Sequence, residues 1–163
     1  MQSQTPSLGL LPDSEVQKID EKLSSGCYVC YNWWLYVMGI VAFFSFLYSV
    51  RQVFTSSIFI VDVLRNFIEG GFAYTMLDVF RQKKLNDAVA GWVSALVCSL
   101  LMAFVIGVQA SSLIRHFGSG PFAVGASAIV LYYCLAYLLP AWKIKALIEK
   151  REEAIITTNK YSA

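Results

Sequence analysis

The stretch FTSSIFIVDVLRNFIEGGFAYTMLDVF, residues 54–80, is largely apolar yet carries Asp62, Arg65, Asn66 and Glu69. Its reading decides how many times the chain crosses a membrane and on which side the N-terminus lies. On an insertion scale its Ile, Val, Leu and Phe residues contribute about −5 kcal/mol, whereas three ionised groups near the centre cost roughly 6 to 9 kcal/mol. Alone, such a segment does not insert stably. Helical spacing changes the balance, because positions 62, 65, 66 and 69 fall at i, i+3, i+4 and i+7 and share one stripe. Asp62 can then pair with Arg65, and Arg65 with Glu69. A stripe turned toward other helices loses much of its penalty.

The runs on either side carry no charge. Residues 33–50, 88–114 and 118–142 are each uncharged from end to end, against the ~20 apolar residues that cross a bilayer as a helix. The whole chain is 57% hydrophobic and only 15% charged, far from the usual soluble balance. A soluble core would need polar faces on its outer helices. These segments have none.

Two arrangements follow. In the first, an all-α bundle of four transmembrane helices, the spans cover about 33–50, 55–79, 88–113 and 120–141. In the second, three spans are joined by an interfacial helix at 52–80, broken at Gly70–Gly71, where glycine favours a helix end. The same pair also suits close contact between membrane helices. If the segment spans, Lys18, Lys22, Arg81, Lys83, Lys84, Lys143, Lys145, Lys150, Arg151 and Lys160 share one side and Arg51 and Arg115 the other. If it lies flat, the first two lysines move across to join Arg115. Under the positive-inside rule both arrangements place the 81–84 turn and the C-terminal tail on the cytoplasmic or equivalent side. The four-span reading is the expectation, with both termini there and 29 residues from Gln52 to Phe80 for the crossing. Trp33, Trp34, Trp92 and Trp142 then lie at one boundary, as interfacial aromatics do.

Residues 1–26 form a polar arm with no basic start or Arg-rich composition of a targeting signal. Within it Ser14 and Gln17 have capping-box spacing, and Val16, Ile19 and Leu23 recur at helical spacing, so a short amphipathic helix ending near Gly26 is expected. Its apolar edge suits the bilayer surface or another part of the chain. The central domain covers 27–142. The 143–163 tail has mixed charge, with Lys143, Lys145, Lys150 and Arg151 suited to anchoring at anionic headgroups. Beyond Arg151 it is expected to fray.

Gly91, Ala95, Ser99, Ala103, Gly107 and Ser111 are small residues at a strict spacing of four. Such a row allows close helix contact in lipid, but it winds around the helix by ~40° per step, so no single partner can follow it. The Gly107 and Ser111 end is expected against Ser119, Ala123 and Ser127 across the Gly118–Pro121 turn. The Gly91 and Ala95 end is expected against another helix or subunit.

Cys98 and Cys134 lie inside apolar runs and read as packing residues. Cys27 and Cys30 form a C-x-x-C beside Trp33. They suit S-palmitoylation on the cytoplasmic side, a local disulfide outside, or plain thiols. A metal site lacks its second pair. His116, the sole histidine, sits beside Arg115 in a short turn. No phosphate loop, nucleophile triad or nucleic-acid motif is present. No catalytic residue or cofactor is expected. The expected partners are the bilayer and either other membrane subunits or a second copy.

Two functions remain open. One is a non-enzymatic membrane protein acting by association, as accessory or assembly subunit, scaffold or trafficking adaptor. The other is a transporter or ion-conducting subunit using the 62–69 stripe, since an intramembrane ionisable group is by default a functional candidate.

Overall fold

The computed structural model describes residues 12–53 and 60–161, and the described chain is all helical. The outer part of the N-terminal arm and the first residues of the expected second span lie outside the described residues. The elements are α1 (Pro12–Leu23), α2 (Cys27–Val53), α3 (Ile60–Gln82), α4 (Leu85–Phe117), α5 (Ser119–Tyr133) and α6 (Leu139–Tyr161). A single π-helical turn, Cys134–Leu138, joins α5 to α6 without a break.

Among the described residues, three helices are long and apolar enough to cross a membrane: Cys27–Gln52, Leu85–Phe117 and Ser119–Thr157. The polar α3 is not one of them, although its 23 residues would reach about 35 Å at 1.5 Å per residue. It nevertheless lies flush against α2. Gly39 approaches Ala73, with only 3.5 Å between an added Cβ and the alanine methyl, and Gly70 approaches Ala42 in the same way at 3.9 Å. Together with the Asn66–Ser49 hydrogen bond, these contacts set the two helices antiparallel. The break at Gly70–Gly71 that the interfacial arrangement required is not made: α3 runs straight through, and Gly70 serves close approach rather than a cap. On its other side α3 meets α4, where a Cβ on Gly91 would come within 2.5 Å of Met76 Sδ.

The core sits toward the tryptophan-bearing end. Leu35, Phe72, Met76, Tyr137, Ile144 and Ile148 are fully buried there, with Ala88, Ala95 and Cys98 filling the α4 side. Aromatic rings form its centre: Tyr137 stacks on Phe72 at 4.8 Å and on Tyr133 at 4.7 Å, and Trp34 meets it edge-on at 5.5 Å. Each such pair adds about 0.5–1.5 kcal/mol beyond area burial. Between the outer half of α4 and α5 lies a hollow of about 300 Å³ lined by Ile106, Leu113, Phe117, Phe122 and Ile129.

At the opposite end of the long helix, α1 folds back on α6. It begins at Pro12, two residues before the expected cap Ser14, because proline's fixed φ suits a first helical position. It ends where Gly26 takes φ 56 and turns the chain into α2. Ile19 and Leu23 pack against the core, so the apolar edge is covered by the chain itself. The tail expected to fray is helical through Tyr161, with Ala154 buried and Lys145 paired to Glu149 one turn on.

Polar contacts clasp these elements. Asp20 accepts from Lys83 Nζ at 2.9 Å and from Arg151 Nε at 3.0 Å, joining α1, the α3–α4 turn and α6. Lys83 sits at φ 53, a left-handed conformation costing about 1–2 kcal/mol for a non-glycine residue. The ion pair holds it there. Glu152 Oε1 accepts the Leu85 backbone N–H at 3.2 Å, so α6 supplies a partner for one of the orphan donors at the start of α4.

Burial pushes the Asp20 carboxyl up, but Lys83 and Arg151 outweigh it and leave it below its ordinary 3.8. A carboxylate depressed on folding stabilises the protein above its unfolded value, and that stabilisation disappears as pH falls through the folded value. Asp20 is partly exposed, which limits the effect to about 1 kcal/mol. In detergent, thermal unfolding of Asp20→Asn should fall below wild type at pH 7 by that amount. The gap should close on acidification below about pH 4.

Candidate functional site

Proline at position 140 shapes the middle of the long helix. It has no N–H, so the carbonyl of Ala136, four residues earlier, loses its helical donor, and the ring crowds that same carbonyl. The chain responds by widening: the Leu139 N–H reaches back five residues to Cys134 O. The freed carbonyl is taken from outside the helix, by the Tyr31 hydroxyl of α2 at 3.1 Å. Proline, π turn and tyrosine thus form one device that pins α2 to the long helix.

The turn also lies beneath Tyr133 and Tyr137, which point at α3. Tyr133 is 6% exposed and donates its hydroxyl to Glu69. Arg65 lies between Glu69 and Asp62, with contacts of 3.9 Å and 3.8 Å. Asn66 turns the other way and donates to Ser49 of α2 at 3.2 Å, with Asn66 4% exposed. The stripe expected from residues 62, 65, 66 and 69 therefore divides between two neighbours: Asn66 and Glu69 turn inward, while the Asp62 and Arg65 side chains remain 44% and 36% exposed. Glu69 lies about 20 Å along the helix from Gln82, taking 1.5 Å per residue.

A groove of about 410 Å³ opens between α2, α3 and α5, lined by Trp34, Ser45, Arg65, Glu69, Tyr132 and Tyr133, among others. Arg65 Nε is shielded from solvent and has no hydrogen-bond acceptor among the described residues. The groove thus offers a cation, a carboxylate already held by a phenol, and aromatic walls. It has no nucleophile paired with a base. Among the described residues, no cluster of three or more His, Cys, Asp or Glu side chains could hold a metal ion.

The small-residue row divides as helix geometry requires. Gly91 and Ala95 are buried against α3, and Ser99 is half-buried with its hydroxyl on the Ala95 carbonyl at 2.8 Å. Three steps of ~40° then carry the row off that face. Ala103, Gly107 and Ser111 are exposed, and so are Ser119, Ala123 and Ser127. Both sets expected to meet are thus exposed, and between α4 and α5 a hollow of about 300 Å³ is lined instead by Ile106, Leu113, Phe122 and Ile129. Cys27 and Cys30 are exposed free thiols in the first turn of α2, Cys98 is buried and Cys134 is exposed. His116 is exposed, with Nδ1 3.2 Å from the Ser112 carbonyl.

Tyr31, Ser49, Tyr133, Tyr137 and Pro140 complete the site, and none is marked by the charge pattern. The available signal was proline within an uncharged run, which announces an orphan carbonyl four residues earlier. No protein-family model matches the chain, and no curated protein or solved structure matches it. The reading of the site rests on its own chemistry.

Replacing Tyr31 by Phe should destabilise the protein by about 1–3 kcal/mol, the cost of leaving a buried acceptor unmet. In a Pro140→Ala background, where position 140 regains its N–H, the same change should cost far less. Unfolding of the two single variants and the double variant reads that coupling directly. The ion pair gives a second cycle. Glu69→Leu or Arg65→Met alone should each cost about 1–3 kcal/mol, reduced from the fully buried case because Arg65 is a third exposed. The pair changed together should recover most of it.

Proposed function

We propose that this chain is a non-enzymatic, multi-pass membrane protein that acts by association, as an accessory or assembly subunit, scaffold or trafficking adaptor. In this reading α2, α3, α4 and the α5–α6 helix all cross the bilayer. Both termini then lie on the side of the 81–84 turn, where the basic residues gather. Support for a crossing α3 comes from its antiparallel packing on both α2 and α4 and from the inward pairing of Asn66 and Glu69, which lowers the cost of burying them.

One observation carries the association reading. The outer half of the small-residue row, Ala103, Gly107 and Ser111, is exposed, as is Ala123 on α5, and a Cβ added to Gly107 would meet nothing within 4 Å among the described residues. Exposed bulky residues such as Phe104, Val108 and Val124 stand near them in sequence. In lipid, small residues beside larger ones permit the close backbone contact that joins membrane helices. Transport along the polar stripe is the second reading, favoured by Arg65 and Glu69 in the lining of the groove. The Tyr133 hydroxyl on Glu69 and the pairing within the stripe weigh against it, because they occupy the groups a solute would use.

Isolation in mild detergent should recover the protein with a second chain or a second copy. Gly107→Leu combined with Ala123→Leu should abolish that association while thermal unfolding stays within about 1 kcal/mol of wild type, as expected for exposed sites. Recovery of the wild type as a bare monomer would sink the reading.

A further inference from the structure

On the outer face of the α2–α3 pair, away from the Arg65 groove, a second groove of about 400 Å³ opens beside the tryptophans and the basic turn. It is lined by Asn32, Tyr36, Tyr74, Asp78 and Arg81, together with Leu77 and Phe80. Asn32 Oδ1 is shielded from solvent and accepts no hydrogen bond among the described residues. Out of reach of water, that oxygen is also out of reach of a ligand in the groove. The negative charge that the groove presents is Asp78, supported by Gln82 Nε2 at 2.7 Å. Arg81 is exposed and enters no ion pair among the described residues. Its guanidinium is the natural partner of a phosphate. Tyr36 and Tyr74, both exposed, add ring faces that attract an ammonium.

The groove continues along the helix seam toward the bilayer centre. Tyr36, Leu77 and Tyr74 pass it to a stretch lined by Gly39, Phe43 and Gly70, and then by Gly71 and Phe67, where the lining is almost wholly apolar. The glycines leave the hollow, and no atom lies within 4 Å of a Cβ added to Gly71. From Asp78 to Phe67 the seam runs about 16 Å along α3. One end is zwitterionic and lies at the aromatic boundary; the other is a narrow apolar channel.

We infer that this seam binds a phospholipid with a primary ammonium headgroup, of the phosphatidylethanolamine class. The ammonium lies on Asp78, the phosphate on Arg81 and one acyl chain along Gly39, Gly70 and Gly71. A quaternary choline head has no N–H for the Asp78 carboxylate. A serine head brings a second carboxylate toward Asp78. The site rests on α2 and α3 standing together in the bilayer and is independent of the association face on α4 and α5.

The delipidated full-length protein, returned to nanodiscs of equimolar phosphatidylethanolamine and phosphatidylcholine, should retain the ethanolamine lipid at least about tenfold over the choline lipid, as read by mass spectrometry of the extracted complex. Asp78→Asn should bring the two toward parity. Gly71→Leu, placed in open space, should reduce retention of both while the helical circular dichroism is unchanged. Equal retention of the two lipids by the wild type overturns the assignment. So does ethanolamine-lipid retention that survives both variants. Free phosphoethanolamine should fail to displace the lipid at millimolar concentration; displacement by it, with Gly71→Leu without effect, would reassign the site to a soluble phosphoester.

Discussion

A backbone carbonyl inside a membrane helix must find a donor, because the surrounding hydrocarbon supplies none. Pro140 removes the donor that belongs to Ala136, and much of the fold's interior is arranged around the repair. The helix widens by one turn, the Tyr31 hydroxyl crosses from α2 to the freed oxygen, and the two helices are thereby set in register. Trp34 and Phe72 close on Tyr137 next to that bond. Tyr133, just before the widened turn, reaches Glu69. A single missing hydrogen thus fixes α2, the long helix and α3 relative to one another.

The polar stripe of α3 obeys the same demand for internal satisfaction. Its polar groups are drawn to the partners that the neighbouring helices present. Asn66 finds Ser49, Glu69 finds Tyr133, and Arg65 spans the two carboxylates. The residual polarity is concentrated at Arg65, where one donor faces the groove. An arrangement of this kind resists sliding between helices more than it lowers the free energy of the fold, since replacing such pairs by apolar residues is often nearly neutral.

Much of the architecture was legible in residue order. Uncharged runs marked the three helices apolar enough to cross a membrane, Val16, Ile19 and Leu23 marked the short N-terminal helix, and Gly91 and Ala95 marked the α4 face that meets another helix. The stripe at 62–69 was legible as one face of a helix. Its division between α2 and α5 was not, because Tyr133 lies 64 positions from Glu69 and nothing local to either residue announces the other. The helical continuation past Trp142 was masked by charge, although Lys145 and Glu149 stand at the i, i+4 spacing that supports an exposed helix. The unused outer half of the small-residue row escaped for a geometric reason: where it stops facing α3 can be computed from the helix pitch, but where α5 lies cannot. Pro140 was the readable clue that went furthest, since the orphaned carbonyl follows from covalent structure alone.

From Ser119 to Tyr161 the final helix is one continuous rod interrupted only by its widened turn. The part beyond Pro140 extends about 30 Å at 1.5 Å per residue. A bend of 10° at the turn would sweep its far end sideways by about 5 Å, with the turn acting as pivot and α6 as lever arm. Asp20 clamps that arm to the turn between α3 and α4 through Arg151 and Lys83. The rod is thus tied to α3 and its following turn at two separate points, near its far end through Arg151 and Asp20 to Lys83 and near its middle through Tyr133 to Glu69.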